Sequence, residues 1–138
     1  MRDARILKHG LNEYRLLPTF EVLDVFEDRH GSLMQHLMNL VSGTAKVSER
    51  ATLIMEAAKA SGDGTSWKHE AVRRMMFDLG VASEELVTLE IDLCDALLYT
   101  PEQYTRKKAA QAEAMQAQDQ MATILGGFVP ATAPPSPS

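Results

Sequence analysis

A chain of 138 residues, 45% hydrophobic and 24% charged, has the length and composition of one globular domain with its own core. Its formal net charge of -5 and pI of about 5.3 exclude the electrostatic footprint of a general nucleic-acid binder and disfavour an anionic membrane surface. A lone cysteine, Cys94, rules out an intramolecular disulfide and fits a reducing compartment.

Met1–Gly10 alternates charged and apolar residues without the apolar stretch of a signal peptide. No apolar run approaches the roughly 18 residues that span a bilayer. The expectation is a soluble protein of the cytoplasm.

In chain order, the first segment is the strand material. Ala4-Arg5-Ile6-Leu7 and Glu13-Tyr14-Arg15-Leu16-Leu17 flank the turn residues Gly10-Leu11-Asn12, which predicts a β-hairpin. Two strands are marginal alone, so the hairpin must pack on helices or pair with another chain. Pro18 ends the extended stretch and Thr19 can cap a first helix, with Phe20, Leu23 and Phe26 as its apolar face and Gly31 as its stop. Ser32 opens a short second helix, in which Leu33, Met34, Leu37, Met38 and Val41 form one broad stripe. A third helix begins at Ser48, on which Ala51, Ile54, Met55 and Ala58 recur at helical spacing after Val47.

Ser61-Gly62-Asp63-Gly64 is a loop, after which Val72, Met75, Met76 and Leu79 mark a fourth helix ended by Gly80. The fifth helix, after Ser83, is apolar over most of its circumference. Its narrow polar strip is Glu85, Thr88, Asp92 and Asp95, so it is expected at the centre of the core. Thr100-Pro101-Glu102-Gln103 is a strong helix start. The helix that follows is mostly Ala and Gln over Ala109–Ala122, rich in helix propensity and poor in anything to bury. The expected fold is therefore mostly α: a compact domain of about five helices over residues 1–100 preceded by an N-terminal β-hairpin. A projecting C-terminal helix over 101–125 and a disordered Pro/Ser tail over 126–138 would follow.

The sequence offers little catalytic or metal chemistry. His9, His30, His36 and His69 include no pair three to five residues apart on one helix, and Cys94 on the most apolar helix reads as a small core residue. Gly62-Asp63-Gly64 looks superficially like a phosphate loop but has neither the lysine-serine pair nor a preceding parallel strand. Asp24, Glu27 and Asp28 beside Arg29 read as a solvated acidic face, and Arg73-Arg74 and Arg106-Lys107-Lys108 as solvated basic ones. No catalytic, cofactor-binding or metal-binding residue is expected. Methionines are numerous: those on helices two to four are expected to fill the core. Met115, Met121, Ile124 and Leu125 on the thin last helix are the candidate partner-binding residues.

The order of these parts resembles a known family. A hairpin runs into Tyr14-Arg15-Leu16-Leu17-Pro18-Thr19-Phe20-Glu21-Val22-Leu23. Then come Phe26-Glu27-Asp28-Arg29-His30-Gly31-Ser32-Leu33, the helix ending Ala57-Ala58-Lys59-Ala60-Ser61-Gly62-Asp63, and a helix closing in Asp78-Leu79-Gly80. This is similar to the tail assembly chaperones of siphophages and prophages, especially the branch found in gene transfer agent clusters. The resemblance covers roughly Arg5 to Leu98. It implies a non-catalytic protein without a cofactor that binds the tape measure and tail tube proteins in the host cytoplasm during tail morphogenesis, with self-association as a further option. The alternatives are a tube-associated structural protein of the virion and a small helical transcriptional regulator, which the net acidity opposes.

Overall fold

The computed structural model describes residues 2–132, and the side chains of residues 2–121. The hairpin is formed by β1 (Arg5–His9) and β2 (Asn12–Leu16), antiparallel, with Leu7 opposite Tyr14 and His9 opposite Asn12. Only Gly10 and Leu11 lie between the strands. Gly10 has φ +63° while Leu11 stays at negative φ, the pattern of a type II′ turn, whose twist matches that of the strands it joins. One face of the hairpin carries Leu7 and Leu16 into the core.

Six helices follow among the described residues: α1 (Phe20–His30), α2 (Leu33–Ser42), α3 (Val47–Ser61), α4 (His69–Leu79), α5 (Glu84–Leu98) and α6 (Pro101–Thr132). The protein is thus mostly helical behind an N-terminal two-stranded hairpin. Side chains cap α1, α2 and α5: Thr19 Oγ1 accepts from the amide of Val22, Ser32 Oγ from that of Gln35 and Ser83 Oγ from that of Leu86. Each satisfies an amide that the first turn of a helix otherwise leaves without a partner.

Two compact units make up the chain, Met1–Pro101 and Glu102–Ser138. In the first, α3 lies against α1, α4 and β2, while α2 packs on α5. The core is therefore shared between α3 and α5 rather than centred on α5. Every residue from Arg50 to Met55 is buried, together with Ala57 and Ala58, and the small Ala51, Ala57 and Ala58 allow neighbours to approach closely. On α5 the buried set is Leu86, Glu90, Leu93, Cys94, Asp95, Ala96 and Leu97, so Asp95 belongs to the interior and not to a polar strip.

The hairpin is fixed to this core at both strands. Arg5 Nε lies 2.8 Å from Asp92 Oδ2 on α5, and the Leu17 amide donates to the Ala57 carbonyl at 3.0 Å. Asp63 accepts from the Arg15 amide at 2.7 Å and from its guanidinium at 3.0 and 3.2 Å, and Tyr14 meets Trp67 edge to face at 4.8 Å. The loop Gly62-Asp63-Gly64 is thereby engaged with β2.

In the second unit, α6 is helical from Pro101 through Thr132, so its backbone continues across Gly126-Gly127, where the sequence suggests a tail. Residues 133–138 lie outside the described residues.

Candidate partner-binding surface

Of the four residues singled out from sequence, Met115 and Met121 are largely solvent-exposed on α6. They are six residues apart, which places them about 120° from each other around a helix and not in one stripe. Ile124 and Leu125 lie within the α6 helix, and their side chains fall outside the described ones. From Ala109 to Met121 every residue is exposed, as the Ala/Gln composition implies.

A more continuous apolar surface lies on α2, where the sequence reading placed core methionines. Met34, Met38 and Val41 are 43%, 58% and 70% exposed, while Met55, Met75 and Met76 are buried as expected. The reason is geometric. Leu33, His36, Leu37 and Leu40 occupy i, i+3, i+4 and i+7 and turn into the core. A helix can bury only one such face against its neighbours, so the second apolar row at 34, 38 and 41, about 100° further round, is left in solvent. No charged residue occurs anywhere on α2. Two aromatic rings add to the exposed apolar surface: Phe20 at the start of α1 and Phe77 near the end of α4. Phe20 was expected on the buried face of α1, but Val22 and Phe26, at i and i+4, take that role.

Each of the two basic clusters has one arginine paired to a glutamate on its own helix. Arg74 bonds Glu70 at 3.0 Å and Arg106 bonds Glu102, both one helical turn apart. The acidic face of α1 is not wholly solvated: Glu27 Oε2 accepts from the Leu33 amide at 2.9 Å, giving the start of α2 a second cap from outside the helix.

The interior holds polar groups that the sequence reading missed. Arg50 Nε and Nη2 donate to Glu90 Oε1 and Oε2 at 2.8 and 2.6 Å, and Nη2 also reaches the Val81 carbonyl at 2.8 Å. Burial pushes the Glu90 carboxyl up, and Arg50 pulls it the other way. Three histidines from three helices converge on the first turns of α3. His30 Nε2 is 2.9 Å from Thr52 Oγ1, and His69 Nε2 lies 3.3 Å from the same hydroxyl and 2.9 Å from the Ser48 carbonyl. His36 Nδ1 lies 3.8 Å from Glu49 Oε2. Burial pushes the His36 ring down to about 4, so at neutral pH it is uncharged and its approach to Glu49 is not an ion pair. Spacing within single helices gives no sign of either group, because each is assembled across helices.

Among the described residues, no group of three or more His, Cys, Asp or Glu side chains is placed to hold a metal ion. No helix among them is long and apolar enough to cross a membrane. Comparison of the chain with protein-family models, with curated proteins and with solved structures finds no match.

Proposed function

We propose that this chain is a non-catalytic tail assembly chaperone, working in the host cytoplasm and holding tape measure and tail tube proteins before the tail polymerises. The observation that carries the reading is the uncharged outward row Met34, Met38 and Val41 on α2, which exposes apolar side chains that the chain's own core does not need. Flexible thioethers suit contacts that must form with a partner and later be released. The resemblance of residues 5–98 to the chaperone family supplies the partners, and the exposed Met115 and Met121 on α6 offer a second contact.

The test is co-expression with the tape measure and tail tube proteins of the same gene cluster, pull-down, and probing of finished particles. Capture of either partner together with absence from particles supports a chaperone. Capture with retention in particles makes the chain a structural component of the tail. Failure to capture either removes the reading. A chain ending at Thr100 that binds unchanged would assign the contact to the first unit and away from Met115 and Met121.

A further inference from the structure

The junction of three histidines has a property that partner binding does not use. His36 is only 2% exposed, and neither ring nitrogen has a hydrogen-bond partner. The Phe26 ring stands 4.9 Å from it. A neutral imidazole tolerates such a site, but an imidazolium there would lose its hydration with little return. The charges acting on the ring come from α1 and α3. Glu49 on α3 favours the charged form, while Arg50 on α3 and His30 on α1 oppose it. On α1, Glu27 is engaged by the Leu33 amide and Arg29 lies 4.0 Å from Glu56. The buried carboxylates of α5 are Glu90, taken up by Arg50, and Asp95.

His36 also sits on a short helix that packs on α5 and α1. At 10 residues α2 is the shortest of the six, it buries only Leu33, His36, Leu37 and Leu40, and a glycine bounds it at each end. Its removal would take from α5 the helix that packs on it but would leave the ion pairs between the other elements in place. The Arg50–Glu90 pair joins α3 to α5, and Arg5–Asp92 and Arg15–Asp63 hold the hairpin to α5 and to the loop after α3.

We propose that His36 is an acid-operated latch on α2: protonation of the ring frees Leu33–Ser42 from α5 while α3 and α5 stay folded, and so uncovers Leu33, Leu37 and Leu40 beside Met34, Met38 and Val41. The opened helix has a solvated histidine that takes up a proton readily, whereas the closed one does not, so each unit of acidification in that interval favours opening tenfold. With the closed-state value near 4 and the ordinary value 6.5, the total gain approaches roughly 300-fold.

Amide hydrogen exchange of the full chain between pH 7 and pH 4.5, corrected for the intrinsic rate, reads this directly. The expected result is that α2 amides exchange faster than those of α3 and α5 at every pH, and that their protection falls about tenfold per unit below pH 6.5. In His36→Leu the α2 protection becomes independent of pH, whereas His69→Gln keeps the wild-type response. Equal protection in α2, α3 and α5 would show that α2 opens only with the whole domain and would overturn the proposal. An unchanged pH response in His36→Leu would do the same. Should that variant not fold, NMR titration of the wild-type ring replaces it: His36 stays neutral down to pH 5 if it is the latch, and a midpoint near 6.5 overturns it.

Discussion

Arg50 and Glu90 meet through two hydrogen bonds in a site where Glu90 is wholly buried and Arg50 is 5% exposed. Such a pair repays its desolvation only while both partners are present. Arg50→Met is therefore expected to destabilise by about 3–5 kcal/mol, because it strands a buried carboxylate, whereas Arg50→Met with Glu90→Leu recovers most of that loss. Urea unfolding of both variants checks this, and a double variant no better than the single one would show that the packing at this site, not the stranded charge, sets the cost. Gly64 is constrained in a different way. A Cβ there would lie 2.7 Å from the Ala58 Cβ and 3.1 Å from the Trp67 ring. Gly64→Ala is expected to cost about 1–3 kcal/mol through overpacking and to shift the Trp67 fluorescence. Unchanged stability and emission would mean that the loop gives way freely.

At the level of elements, α2 is divided by its helical period into a buried row and an outward row. Replacing the outward residues, as in Met38→Gln, is expected to change stability by within about 0.5 kcal/mol. Leu37→Ala, one residue away on the buried row, is expected to cost about 2–5 kcal/mol. Thermal melts of the two variants separate the rows, and similar losses would mean that the outward row packs after all. This division also shows what the sequence makes legible. Hairpin, caps and helix order are local, and strand alternation, Thr19, Ser32, Ser83 and the glycine stops announce them. An amphipathic pattern identifies apolar residues but not which of two adjoining rows faces inward when a helix is apolar round most of its girth. That choice is made by the neighbour, here α5, and for Met34, Met38, Val41 and Phe20 the local pattern points the wrong way. The buried Arg50–Glu90 pair and the histidines around Thr52 are hidden for a related reason. Their partners are separated by 40, 22 and 17 residues, so no window on one helix contains both.

For the whole molecule, the titrating groups set how stability follows pH, and they act with opposite signs. His36 is held near 4, below its ordinary 6.5, by burial. As pH falls, the unfolded chain binds that proton first, so this contribution is full above 6.5, is lost between 6.5 and 4, and is flat below; it amounts to about 3 kcal/mol. Glu90 runs the other way. Its carboxyl is raised by burial, so its contribution is present below its ordinary 4.5 and is lost as pH rises through the raised value. Asp63, which the Arg15 guanidinium and amide hold below the usual carboxylate range, is favourable above 3.8 and loses that benefit only in stronger acid. The three windows differ, and a fall in stability that begins near pH 6.5 belongs to His36 alone among them. Urea unfolding at half-unit steps from pH 7.5 to 4 is expected to show that fall in the wild type and to show it reduced by about 3 kcal/mol in His36→Leu. A fall of equal size in both would show that His36 is not its source.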